Sequence, residues 1–190
     1  MSEKTEIFII TGTPGAGKST VAKELMQRYK FGFHIPIDDL REWVVSGIAH
    51  PLPAWTAETA HQFDLAYQAT AKLAQLYADA GFAVAIDQVI YPKDVNKYFM
   101  GPLSNHKIHK IYLCPEVEIA LKRNASRTNK VFDTEFLNDP LKAIYQTLDT
   151  QIRADRGWTI INSTKQSVMV TVDEIYRKTR CDFHLSLEIH

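Results

Sequence analysis

Gly12-Thr13-Pro14-Gly15-Ala16-Gly17-Lys18-Ser19 follows the spacing GxxxxGK[ST] without deviation, and Thr20 comes next. Glycines at these positions let consecutive backbone N–H groups curl around phosphate oxygens. A helix opening near Lys18 would add unpaired N–H groups and the positive end of its dipole. The Lys18 ammonium would then reach the β and γ phosphates, and the Ser19 hydroxyl would serve a magnesium ion. Residues 12–20 are therefore the expected nucleotide cradle, with ATP and Mg²⁺ as ligands.

Three more groups have types that suit phosphoryl chemistry. Asp87 ends an apolar run, Phe82-Ala83-Val84-Ala85-Ile86. That is the place of a second metal-site carboxylate, and the alternative is an aspartate capping the next turn. Residue 88 is Gln, which cannot act as a general base. Transfer to a substrate hydroxyl is thereby favoured over hydrolysis. Asp38-Asp39-Leu40-Arg41 follows a second strand-like run. A carboxylate there can take a proton from an attacking hydroxyl, with Asp38 preferred to Asp39, and Arg41 can hold an anionic group. The alternative is that both aspartates cap a helix whose first turn holds Arg41. Arg123 and Arg127 share a helix face and precede Lys130. They can close over a triphosphate, or simply complement the end of a helix dipole.

These groups need elements to hold them. Ile7-Phe8-Ile9-Ile10-Thr11 reads as a strand buried on both faces. Similar runs predict strands at 33–37, 82–87, 108–113 and 158–161, with Pro36 suited to a sheet edge. Helical spacing follows Lys18. A long helix begins after a Thr56 cap, carries Phe63, Ala66, Thr70, Leu73 and Tyr77 on one face, and ends at Gly81. Further helices follow near 93–99, after Pro115, and from an Asp139-Pro140 start to Gly157. Thr171 with Glu174 predicts a capping box for the last one. Residues 127–138 are polar and read as a mobile loop. His34 reads as a packed strand residue. His50, Trp55 and Tyr91 are loop residues that could touch substrate, and Asn162-Ser163-Thr164 is a possible adenine-side loop. Strands alternating with helices make an α/β protein, a parallel sheet covered on both faces.

Composition narrows the classes. In 190 residues, 22 Lys and Arg balance 22 Asp and Glu, so no global charge draws the chain to nucleic acid or anionic membrane. One domain spanning 1–190 is expected. The two cysteines, Cys114 and Cys181, have no metal-site spacing. No apolar run reaches membrane-spanning length. A cytoplasmic protein, monomer or homodimer, is the expectation. The NKxD motif of guanine binding is not matched, because Phe132 stands where Asp is needed.

The phosphate loop, Asp38-Asp39, the strand ending at Asp87 and the Arg123/Arg127 helix together resemble the adenylate-kinase-like P-loop kinases. The chain is most similar to their small AAA-domain group, which includes gluconate-kinase-like proteins, chloramphenicol phosphotransferase and the kinase domain of polynucleotide kinase. The resemblance runs from Ile7 to about Lys178. It implies a three-layer P-loop fold, a five-stranded parallel sheet in the order 2-3-1-4-5, a mobile lid over about 123–138 and Mg-ATP as donor. Asp38-Asp39-x-Arg41 is similar to the polynucleotide kinase tetrad, which implies Asp38 as base and Arg41 as a ligand of the acceptor. Shikimate kinases are disfavoured, because Leu40 breaks their DxD and Gln88-Val89-Ile90 replaces their glycine triplet. The reading is an ATP-dependent kinase acting on a hydroxyl of a small molecule, a sugar acid or a natural product. The alternatives are a 5′-hydroxyl polynucleotide kinase, disfavoured by charge, and a nucleotide-binding switch or weak ATPase that acts on a partner protein.

Overall fold

A computed structural model of the chain describes residues 4–52, 54–125 and 138–181. Its centre is a parallel sheet of β1 (Glu6–Thr11), β2 (Gly32–Pro36), β3 (Ala83–Asp87), β4 (Lys107–Leu113) and β5 (Trp158–Ile161). The spatial order is β2-β3-β1-β4-β5, as the resemblance implies. The helices are α1 (Lys18–Met26), α2 (Ile37–Glu42), α3 (Ala57–Asp79), α4 (Pro92–Val95), α5 (Val117–Ala125), α6 (Asn138–Ala154) and α7 (Val168–Cys181), with one π-helical turn at Asn96–Met100.

Side-chain alternation along the strands sorts the core into two layers. Ile7 and Ile9 of β1 join Ile35, Val84 and Ile86 on one face, where Phe63, Tyr67 and Ala74 of α3 cover them. Phe8 and Ile10 join Ala83, Ala85 and Ile111 on the other, under Val21 and Leu25 of α1 and Ile175 of α7. β1 is central and buried on both sides, hence its unbroken apolar run. Each fully buried Ile or Phe removes enough apolar surface to contribute about 1.5–3 kcal/mol. The outer strands differ from the sequence reading: β2 and β5 are edge strands and only partly buried. Pro36, which lacks an N–H for a ladder, sits on the β2 edge.

Local signals also explain the helix ends. The Thr56 side chain accepts from Thr59 N, and Thr59 answers in a capping box at the start of α3. Gly81 then takes a left-handed turn with φ of 88°. The Thr171–Glu174 capping box is overturned. α7 already runs at 168, Ser167 Oγ accepts from Val170 N, and Thr171 Oγ1 back-bonds to Ser167 O within the helix. Likewise α6 begins at Asn138, so Asp139 lies inside the helix and not at its cap. Among the described residues, no helix is long and apolar enough to cross a membrane.

Candidate active site

The strand C-termini form one end of the sheet, where a parallel sheet binds its ligands. The phosphate loop leaves the end of β1 and enters α1. Gly17 caps α1 in a left-handed conformation (φ 90°) and, as a glycine, brings no capping side chain. A helix start of this kind, with its positive dipole end at the loop, suits phosphate binding. The loop is braced from behind. A Cβ on Gly12 would lie 2.5 Å from the Leu113 carbonyl oxygen, and one on Gly15 only 2.1 Å from that of Ala120, with φ at 84°. Glycine is thus required at 15 by both space and backbone angle.

Lys18 is buried, and its Nζ donates to Gly12 O at 3.0 Å and Thr13 O at 3.2 Å. The ammonium is drawn into the concavity of the loop. Thr13 Oγ1 is buried there without a hydrogen-bond partner. A helix start capped by glycine, a buried ammonium and an unsatisfied hydroxyl fit a polyphosphate. The neighbouring oxygens fit a hard divalent cation. Ser19 Oγ donates to Asp87 Oδ1 at 3.1 Å, and Asp87 itself is 5% exposed.

The other oxygen of that carboxylate is also engaged. His34 Nε2 donates to Asp87 Oδ2 at 2.5 Å. The order Ser–Asp–His separates this cluster from a nucleophile triad, in which the imidazole touches the hydroxyl. Here the carboxylate lies between, so nothing strips the Ser19 proton. The histidine read as a packed strand residue is in fact the second partner of Asp87.

Gln88 is the next surprise. It is 4% exposed; its Nε2 donates to Asp38 Oδ1 at 2.8 Å and its Oε1 accepts from Val89 N at 2.7 Å. Thr11 fixes the turn that carries it: Thr11 Oγ1 donates to Ile90 O at 2.9 Å and accepts from Ile90 N at 3.0 Å. Hence Ser19, Asp87, Gln88 and Asp38 form one contiguous line from the phosphate loop to the β2–α2 junction. The capping alternative for the aspartates is overturned, since Pro36 occupies the cap of α2. Asp38 and Asp39 lie inside its first turn.

Arg41 is in the last turn of α2 and is 7% exposed. It donates from Nη2 to Ala49 O at 2.6 Å, and its guanidinium lies 3.8 Å over the Phe63 ring. Burial lowers its pKa, while Asp38 and Tyr67 act in the opposite direction. Its Nε is buried without a partner. Arg41 therefore ties α2 to the following loop. The same loop is strapped to α3 by Gln62, which donates to Gly47 O and accepts from Ala49 N, both at 2.8 Å. His50 is held there through its carbonyl, which accepts from Thr59 Oγ1. Trp55 is exposed and stacks on Phe63 at 4.9 Å between centroids.

On the other flank, Arg123 in the last turn of α5 donates to Ser163 O at 3.3 Å. Asn162 and Thr164 bond each other, and Thr164 Oγ1 accepts from Glu116 N at 2.9 Å. The loop after β5 is thus tied to both ends of α5. Tyr91 caps α4 and packs beside Tyr112, Leu148 and Ile152. Arg153 pairs with Asp149 at the surface. Arg127, Lys130 and most of the expected lid lie outside the described residues.

A family model described as an AAA domain matches residues 7–161. The chain belongs to the AAA domain family. The match begins at the second residue of β1 and ends with β5, so it spans the five described strands of this AAA domain almost entirely. A comparison with curated proteins finds no match. Among solved structures, the AAA domain is similar to a gluconokinase from Sinorhizobium meliloti 1021, with a TM-score of 0.65, 14% identity and 99% of each chain covered. A sugar kinase from Janibacter sp. HTCC2649 gives 0.62 at 15% identity, covering 91% of this chain and 93% of that one. A tunicamycin resistance protein of Deinococcus radiodurans gives 0.60 at 15%, covering 92% and 95%. At such identities the likeness carries the fold alone.

Proposed function

We propose that this AAA domain is an ATP-dependent phosphotransferase that moves the γ-phosphoryl group to a hydroxyl of a small molecule. The observation that carries the reading is the line Ser19–Asp87–Gln88–Asp38, which sets a carboxylate beside the phosphate loop and orients it by a side-chain amide.

Each residue has a task in that reaction. The backbone of 12–17 and the start of α1 bind the phosphates, and Lys18 turns from its loop carbonyls to the β and γ oxygens. Ser19 and Asp87 hold Mg²⁺, which neutralises phosphate charge when bound. Asp38 accepts the proton of the acceptor hydroxyl. The hydroxyl oxygen then bonds the γ phosphorus, the bond to the β–γ bridging oxygen breaks, and ADP leaves. Gln88 cannot take a proton, so water in its place gains no base. Arg123 and Arg127 are proposed to stabilise charge on the group in flight. Arg41 and the loop it anchors border the acceptor. The printed names of two structural neighbours, a gluconokinase and a sugar kinase, support a small hydroxyl compound as the acceptor class.

The test is transfer from γ-labelled ATP to a panel of sugar acids, nucleosides, aminoglycosides, chloramphenicol and a 5′-hydroxyl oligonucleotide. Lys18→Ala should abolish nucleotide binding. Asp38→Asn should keep binding and lose about 10²–10⁴-fold in transfer. Label on the oligonucleotide alone would make the chain a polynucleotide kinase. ATP turnover that responds to a partner protein and to no acceptor would replace the kinase reading with a switch.

A further inference from the structure

We infer that His34 is a positioning residue for the divalent cation: it holds one oxygen of Asp87 so that the other is presented beside Ser19. The inference rests on the proposed Mg-nucleotide site and concerns what this chain adds to it.

The sheet register explains why the contact forms. In the β2–β3 pairing, His34 stands opposite Ala85 and Pro36 opposite Asp87. Side chains two apart share a face, so His34, Pro36, Ala85 and Asp87 all project toward α1. Ala83 and Ala85 are small, which leaves room for the imidazole to cross diagonally to Asp87. Both partners are nearly buried, with 10% of the His34 side chain and 6% of the Asp87 side chain exposed. A carboxylate there needs its lone pairs satisfied, because unpaired buried polar groups are costly. Ser19 satisfies Oδ1 and His34 satisfies Oδ2.

The division of labour follows. With Oδ2 fixed, the carboxylate cannot rotate about its Cβ–Cγ bond, and Oδ1 stays on the phosphate-loop side. Partners that orient a metal-binding carboxylate typically change metal affinity by about 10–100-fold when removed. The same strand serves the acceptor side as well. Four residues beyond His34 is Asp38, so the β2–α2 segment carries both the group that orients the metal-site carboxylate and the proposed base.

The experiment measures Mn²⁺ uptake by electron paramagnetic resonance, with ADP present, in the parent, His34→Ala and His34→Gln. Gln places an amide N–H near the position of Nε2. The Ala variant should bind Mn²⁺ about 10-fold more weakly, with ADP affinity in EDTA at the parent value. The Gln variant should recover most of the loss. Thermal unfolding confirms that each variant is folded. Parent-like Mn²⁺ affinity in the Ala variant overturns the inference and leaves the kinase reading standing. Equal loss in the Ala and Gln variants, or loss of ADP affinity in EDTA, also overturns it, since the role is then structural. If the Ala variant does not fold, the Gln variant decides: full loss rejects positioning, retention upholds it. A parent that takes up no Mn²⁺ with ADP removes both this inference and the site it rests on.

Discussion

Gln88 Nε2 donates to Asp38 Oδ1 at 2.8 Å, across fifty residues of sequence, and the other end of the same amide is clamped by Val89 N. The amide is therefore a strut with two fixed ends. It leaves Asp38 Oδ2 as the oxygen that can meet a hydroxyl. Replacing Gln88 by Ala should lower turnover on the acceptor by about 10²-fold, the scale of a misplaced catalytic group. ATP affinity should not change. Steady-state kinetics with an identified acceptor, together with calorimetry of nucleotide binding, separates the two effects.

The strut is only as firm as the turn that bears it. Thr11 Oγ1 bonds both the N–H and the carbonyl of Ile90 in a fully buried setting. Thr11→Val keeps the shape and strands both backbone groups. A loss of about 1–3 kcal/mol per orphaned group is expected, read from urea denaturation midpoints.

Gly15 gives a sharper case. Ala at this position would have to push its Cβ away from the Ala120 carbonyl while holding a positive φ. Strain of this kind costs on the order of 1–3 kcal/mol. Because the loop must shift to relieve it, Gly15→Ala should lose ATP affinity as well as thermal stability. Calorimetry and a melting curve check both.

The opposite end of the sheet predicts an acid limb of stability. Glu6 lies 3.4 Å from His109 and 3.5 Å from Lys107, and it accepts from the Tyr29 hydroxyl. The His109 imidazole is the largest cause of a pKa lowered from 4.5 to about 2; burial opposes the shift, and Tyr29 and Lys107 add to it. A depressed carboxylate pKa stabilises the fold above the unfolded value and loses that contribution as pH falls through the folded value. Stability should drop between about pH 4.5 and pH 2. Glu6→Gln should flatten that slope in denaturation series across the window.

The legible part of this molecule is the part fixed by local rules. The phosphate loop announces itself because its chemistry needs glycine, lysine and serine at set spacings. Pro36 marks an edge, and Thr56 marks a helix start, for reasons that act within a few residues. The Thr171 error has the same origin: its spacing to Glu174 is right, but Ser167 is closer to the true start and competes successfully. What the sequence hides are contacts between distant segments. Gln88 was legible only as a missing base, while its bond to Asp38 depends on where α2 begins. His34 reads from the sequence only as a packed strand residue, and it takes the register of β2 against β3 to bring it to Asp87. Arg41 was read as a substrate ligand, and its hold on Ala49 O depends on the path of the loop beyond α2.

The bracing of the phosphate loop bears on how force passes through the protein. Ala120 O fills the space that a side chain at Gly15 would need, so α5 and the loop are in gear at that point. Arg123 lies one turn further along the same helix. Asn124, one turn beyond Ala120, faces the same space, so the phosphate loop rests on α5 at two successive turns and the helix is its fixed bearing.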